Sequence, residues 1–342
     1  RLTAWNAIAS RRIQEMSQQK FLVALDGSEQ QEAVFTTALQ LAQHQAASLD
    51  LFHCLPFDTQ DLTVGSYSDL YGQDLVNFSR SLQDQIEQQQ AKTRLWLAAY
   101  GDRAQQAGVE VAWDWKIGEP SQGLLEAARR CSPDLIVMGR RGRVGLAELL
   151  LGSVSNYIVH RARCSVLVVQ GSQSPLEPVA KILVALDRAP RAEALFQQAL
   201  ALAQSQPARL LFFHCQPVEE RLEYFGEVYS EELVQQSQSF YQGLETAGRE
   251  DQAWLEGYSQ RAIAAGVEAA WELRIGGAGF SVCDCARDWG ATLILMGRRG
   301  RSGWDEWLLG STSNYVMHHA PCATWIAQAR EDAKPTVASG VL

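Results

Sequence analysis

The chain has 342 residues, with 30 Lys and Arg against 39 Asp and Glu, a formal net charge of −9, 46% hydrophobic and 20% charged residues. This balance excludes a disordered chain and a nucleic-acid binder held by a basic surface, and no apolar run approaches the ~20 residues of a bilayer span. The length suits two domains of ordinary size.

In chain order, residues 1–19 are expected to be an N-terminal extension, and residues 1–15 of it, which read as vector-derived, an upstream extension or an extra helix, have neither the apolar core nor the cleavage site of a secretory signal. Residues 21–25 (FLVAL) predict the first strand, closed by Asp26-Gly27-Ser28-Glu29, a turn in which Ser28 is placed to cap the next helix. That helix runs to about His44, and residues 48–55 give a second strand. A polar loop over 56–73 with Tyr67 and Tyr71 leads to a long helix ending near Ala107. A third strand is expected over 109–117, a third helix over 120–130 and a fourth strand over 133–138. A helix from Gly152 to about Arg161 and a fifth strand over 165–169 (SVLVV) follow. Strands alternating with helices predict a parallel sheet with helices on both faces, an α/β doubly wound domain.

The stretch that organises the chain is LIVMGRRGRVGLAELLLGSVSNY, from Leu135 to Tyr157. A buried strand breaks at Gly139, a basic loop carries Gly142, and nine residues later Gly152-Ser153 opens a helix. Glycines allow close backbone approach, and the N–H groups of a helix N-terminus favour an anion. From Leu293 to Tyr315 the chain reads LILMGRRGRSGWDEWLLGSTSNY, with Gly297 standing 158 residues after Gly139. Arg140, Arg141 and Arg143 in the first loop, and Arg298, Arg299 and Arg301 in the second, stand out as basic patches on an acidic chain.

The whole element order recurs after a linker-like segment at 171–178 (GSQSPLEP), with strands expected over 182–186, 210–215, 267–275, 292–296 and 324–327. The domains are therefore set at 20–170 and 179–328, with a tail at 329–342. A repeat of this length is a domain duplication, since solenoid periods are ~20–50 residues. The apolar last strands, 166–169 and 324–327, would each be an aggregation-prone edge alone, so they are expected to pair in an internal pseudo-dimer. The seven cysteines form no framework; Cys54 and Cys215 follow the same Phe-His, Cys164 and Cys322 open equivalent late strands, and the set reads as core residues of a reducing, cytoplasmic compartment. His53 and His214 read as packed strand residues.

In an open doubly wound sheet a ligand lies at the carboxyl ends of the strands, where the strand order reverses. If strands one and four are neighbours, Asp26 and the glycine loop face one crevice, an arrangement suited to a nucleotide. Asp26-Gly27-Ser28-Glu29, the His53 strand and above all G-x-x-G-(nine)-G-S resemble the universal stress protein family, in both halves and over most of their length. The resemblance implies two tandem five-stranded parallel sheets of order 3-2-1-4-5, paired through their last strands, and membership of the ATP-binding branch. It implies adenine and ribose contacts at Ala24, Asp26, Leu49, Met138 and Gly139, and phosphate contacts at Arg141, Gly142, Gly152, Ser153, Val154 and Ser155. In the second half the same places are Ala185, Asp187, Leu210, Met296, Gly297, Arg299, Gly300, Gly310, Ser311, Thr312 and Ser313.

The implied ligand is ATP, with ADP or AMP as alternatives and Mg as an accompanying ion. The implied role is nucleotide binding in a stress or signalling response, with slow hydrolysis or self-phosphorylation at most. The alternative is a scaffold whose retained site takes AMP or a cyclic nucleotide. Partners are expected to be an adenine nucleotide and a second half or second copy of the chain (a homodimer), with neither nucleic acid nor membrane. No catalytic residue and no metal site is assigned, since His-x-x-His, Ser-Gly-Gly-x-Asp-Ser and P-loop motifs are all missing from the sequence. The second turn, Asp187-Arg188-Ala189-Pro190, departs from the pattern. There Arg188 is expected to crowd the sugar side of the crevice.

Overall fold

The structure is a computed structural model that describes residues 18–56, 73–140, 151–171, 176, 179–217, 231–298 and 309–328. The first repeat runs β1 (Lys20–Ala24), α1 (Gln31–Gln45), β2 (Ser48–Leu55), α2 (Gln73–Gln106), β3 (Val111–Ile117), α3 (Pro120–Cys131), β4 (Leu135–Gly139), α4 (Ser153–Arg161) and β5 (Ser165–Val169). The second runs β6 (Ala180–Ala185), α5 (Ala192–Ser205), β7 (Ala208–Gln216), α6 (Glu231–Ala264), β8 (Glu268–Ile275), α7 (Ala278–Trp289), β9 (Leu293–Gly297), α8 (Ser311–His319) and β10 (Ala323–Ala327). The first repeat has the order β3-β2-β1-β4-β5 and the second β8-β7-β6-β9-β10, the expected 3-2-1-4-5 arrangement in each. Strand β4 is Leu-Ile-Val-Met-Gly with its first four residues buried. That is the composition of a parallel strand covered on both faces, where each such side chain contributes ~1.5–3 kcal/mol.

Alternation along β2 places helices on both faces. His53 meets the Trp96 ring of α2 edge-on at 5.1 Å, whereas its neighbour Cys54 lies against α3. A Cβ at Gly123 of α3 would sit 3.0 Å from Cys54 Sγ, so a larger residue there would have to push the thiol aside by a few tenths of an ångström. One clasp fixes the long helix in each repeat. Arg103 of α2 donates to both carboxylate oxygens of Glu32 and lies over the Phe35 ring, and Arg261 of α6 does the same with Glu193 and Phe196.

The chain divides into two compact units, residues 1–144 with 152–158, and residues 145–151 with 159–342. The second unit thus includes β5, which belongs by sequence to the first repeat. Within that unit Val166, Leu167 and Val168 pair antiparallel with Ile326, Trp325 and Thr324. The two edge-prone strands therefore protect one another, as their composition required.

Two local expectations need correction. Ser28 does not cap α1, which begins at Gln31 without a side-chain cap on Gln30; the Ser28 amide instead donates to Asp26 Oδ1 at 3.0 Å. Strands β4 and β9 also extend one residue further than expected, through Gly139 and Gly297 themselves.

Candidate functional site

The site grows from one neighbour relation in each repeat. Strands β1 and β4 pair in parallel, with Phe21, Leu22 and Val23 opposite Leu135, Ile136 and Val137. Strands β6 and β9 match them, with Ala185 opposite Met296. Beyond the carboxyl ends of each pair, Asp26 and Gly139, or Asp187 and Gly297, emerge beside one another at the point where the strand order reverses. Asp26 turns its Oδ1 to the Ser28 amide, and Asp187 its Oδ1 to the Ala189 amide at 3.3 Å. Gly27 makes its turn with φ of 78°, a conformation that favours glycine. Among the described residues only Ala46 and Ser132 adopt positive φ without being glycine, so Arg188 turns the chain by another route.

The loop after β4 is closed at its root. The Gly152 amide donates to the Arg140 carbonyl at 2.9 Å, and the Gly152 carbonyl accepts from Asn156, the first bond of α4. Gly310 repeats both contacts with Arg298 and Asn314. This geometry sets the first-turn N–H groups of Ser153, Val154 and Ser155, and of Ser311, Thr312 and Ser313, at the crevice end of their helices, where an anion is favoured. The Ser153 and Ser311 side chains are exposed there. Ser155 and Ser313 are buried, and their hydroxyls donate back to the carbonyls of Gly139 and Arg140, and of Gly297 and Arg298. Those two side chains hold the loop root.

Several sequence expectations move. Leu49 and Leu210 are fully buried opposite Phe21 and Ile182, three residues before the ends of β1 and β6. At ~3.3 Å per residue they lie ~10 Å below the crevice and cannot touch a ligand there. The carboxyl end of β2 that does reach the crevice rim is His53-Cys54-Leu55. His53 Nδ1 bonds the Leu25 carbonyl at 2.6 Å and His214 Nδ1 the Leu186 carbonyl at 2.8 Å, so both histidines hold the turn after strand one. Burial raises the Cys54 and Cys215 thiols above their ordinary range, and none of the seven cysteines forms a disulfide.

Arg140 and Arg298 are not surface patches: they are 4% and 6% exposed. The Arg298 guanidinium donates to the carbonyls of His160 and Ala162 at the end of α4 and to the Gln328 side chain, a cation on a helix C-terminus. Ala24 and Ala185 close β1 and β6, and Met138 and Met296 stand one residue before the ends of β4 and β9. Arg141, Gly142, Arg299 and Gly300 lie outside the described residues, as do Tyr67, Tyr71, most of the 171–178 linker and the 329–342 tail.

Arg188 does not enter the crevice. It turns onto α6, where Nε and Nη2 donate to Asp251 Oδ1 at 2.7 and 2.6 Å and the guanidinium lies 4.7 Å over the Trp254 ring. The other Asp251 oxygen is 3.7 Å from His214 Nε2. The residue over the second crevice is Arg191, which motif reading passed over. Aligning the halves position by position would have shown it, since Arg191 stands where the first repeat has Gln30, and Asp251 where it has Thr93.

Two doubly wound parallel sheets, each with an acidic turn and a glycine-closed loop root at its switch point, define a tandem α/β protein. The family model described as "Universal stress protein family" matches residues 18–170 and again 178–328. The chain belongs to that family, with two of its domains in tandem. A universal stress protein of Synechocystis is 43% identical over 151 residues, 44% of this chain and 97% of that protein. One of Bacillus subtilis is 32% identical over 152 residues, 44% of this chain and 98% of that protein. The crystal structure of a universal stress protein from Archaeoglobus fulgidus has the same fold, with a TM-score of 0.60 at 19% identity, covering 92% of this chain and 99% of that one.

Proposed function

We propose that the protein binds an adenine nucleotide, ATP in the first instance, at the crevice of its first domain and serves as a nucleotide-responsive protein of the cytoplasm. One observation carries this: the Asp26 carboxylate and the closed loop root leading into α4 meet at one strand-order switch. The acid suits a ribose hydroxyl, and the N–H groups of Ser153, Val154 and Ser155 suit phosphate oxygens. Ala24, Met138 and Gly139 form the wall between the two, and Arg141 and Gly142 complete the phosphate side by their place in the motif. The second domain offers the same set at Ala185, Asp187, Met296, Gly297, Arg299, Gly300, Gly310, Ser311, Thr312 and Ser313. Among the described residues no group of three His, Cys, Asp or Glu side chains converges as a metal site, so Mg would arrive held by the phosphates. The reading is one of binding rather than turnover, because the Asp26 carboxylate helps to build the turn beneath the ligand.

Mass spectrometry of small molecules released by denaturing the purified protein should find an adenine nucleotide, and calorimetry should measure its affinity. Gly142→Val should abolish binding at the first site while leaving the melting temperature unchanged. Unaltered affinity and stoichiometry in that variant, or no heat from ATP with the unmodified protein, would count against the proposal.

A further inference from the structure

We infer that Arg298 is a positioning residue for the first crevice, although it stands in the loop root of the second. This rests on the nucleotide reading above. The backbone and the side chain of Arg298 serve different sites. Its carbonyl accepts the Gly310 amide at 2.9 Å and the Ser313 hydroxyl at 3.0 Å, the contacts that close the second root. Its buried side chain reaches the end of α4 instead. There Nη1 donates to the Ala162 carbonyl and the Gln328 side chain, and Nη2 donates to the His160 carbonyl. A side-chain hydrogen bond also joins the His160 ring to Asn314, in the first turn of α8. The last turn of α4 is thus held from two places in the second repeat, the residue after β9 and the first turn of α8. These contacts all lie within the second compact unit, which takes in residues 159–161 of the helix.

Helix α4 is short enough for its two ends to act as one body. Its 9 residues span ~13.5 Å at 1.5 Å each. Its first turn carries the N–H groups of Ser153, Val154 and Ser155 at the first crevice. Its last carbonyls have no partner within the helix, and they emerge beside Val159 and Ala162, each 1% exposed. Donors from Arg298 satisfy them there, and the cation complements the negative end of the helix dipole. Fixing that end fixes the direction in which the positive end points, and a phosphate bound at the first turn relies on the same dipole. Without the guanidinium, the buried carbonyls must turn towards other donors, and the helix must tilt with them. The first-turn N–H groups would then leave the positions that suit phosphate oxygens. The second root would be spared, because it is closed by the Arg298 carbonyl, which every residue type supplies.

The test titrates ATP into the full chain and follows the backbone amide resonances of residues 153–155 and 311–313, which give a separate midpoint for each crevice. Arg298→Met keeps the length of the side chain and removes its charge and donors. It should weaken the first site about tenfold, ~1.4 kcal/mol, and leave the second within about twofold. It should also shift the resonances of residues 153–155 in the ATP-free protein. Arg298→Lys, which keeps the cation, should restore the first site to within about threefold of the unmodified protein. Arg298→Gln, which can still donate to one carbonyl, should fall between the two, and it carries the test if the methionine variant does not fold. A first midpoint unchanged in both neutral variants would overturn the role of Arg298 and leave nucleotide binding standing. Equal weakening of both sites, the mark of a merely structural residue, would overturn it too. So would a lysine variant as weak as the neutral ones, or ATP that moves only the resonances of residues 311–313. ATP that moves neither set in the unmodified protein would overturn the nucleotide reading itself, and this inference with it.

Discussion

The two halves of the chain differ by a charge pair whose coupling can be measured. Arg188 and Asp251, 63 residues apart, replace Gly27 and Thr93 of the first repeat. Asp251 is only 8% exposed, while the Arg188 side chain keeps 34% of its surface in water. Arg188→Ala strands a buried carboxylate with the His214 ring, at 3.7 Å, as its remaining neighbour among these contacts. Removing one partner of a fully buried pair costs ~3–5 kcal/mol, and solvent access to the arginine lowers the expectation to ~2 kcal/mol. Asp251→Thr lets Arg188 turn to solvent and places a residue already accommodated at the same position in the first repeat, so ~1 kcal/mol is expected. The double variant recreates a neutral pairing and should lose ~1 kcal/mol, well short of the ~3 kcal/mol sum of the singles. Urea unfolding followed by tryptophan fluorescence would measure all four proteins. At ~2–4 °C per kcal/mol for a domain of this size, Arg188→Ala should also lower the melting temperature by ~4–8 °C. If the single effects add to within ~0.5 kcal/mol, the two side chains are not coupled and the reasoning fails.

Two further outcomes are expected. Arg261, donating through both guanidinium ends, holds the Glu193 carboxyl down to about 2 from an ordinary 4.5. The stabilisation is therefore present above pH 4.5 and lost as pH falls towards 2. Because both side chains are about half exposed it should amount to no more than ~1 kcal/mol. Glu193→Gln should thus lower stability at pH 7 and be neutral at pH 2, and a deficit that does not change with pH would refute this. Ser155→Ala removes the donor to the Gly139 and Arg140 carbonyls and should cost ~1 kcal/mol, with faster proteolysis of the adjoining loop; an unchanged cleavage rate would show that the hydroxyl does not hold the root.

The duplication and the alternation of strands with helices were legible because each repeat ends its central strand in the same apolar run and glycine, and because apolar periodicity is a local property; the strand order came from the family resemblance. Leu49 was misplaced because a motif gives a position in the chain but not its height along a strand; counting from the carboxyl end would have led to His53 and Cys54. The arginines failed for a different reason. A run such as Arg140-Arg141 reads as a basic surface, yet Arg298 is buried because the end of α4, more than a hundred residues earlier, presents carbonyls to it. Arg188 was expected in the crevice because its partner, Asp251, lies far along the chain where no local pattern announces it. Short-range signals thus located the crevice, while its occupants depended on contacts made only when distant segments meet.

The bond from Gly152 to Arg140, repeated by Gly310 and Arg298, makes each intervening segment a cassette. Its ends are already joined within the fold, so the sheet and helix register do not depend on what lies between them. Closing a longer loop on a fixed root adds little entropy, ~0.6 kcal/mol for each doubling of length. Insertions or exchanges there are expected to leave the root bonds, and with them β4 and α4, in place. The two copies in this chain have drifted in composition while both roots stayed shut, RGRVGLAELL against RGRSGWDEWL. Under the nucleotide reading proposed above, such a root would let the segment of one half change while that of the other half stays as it is.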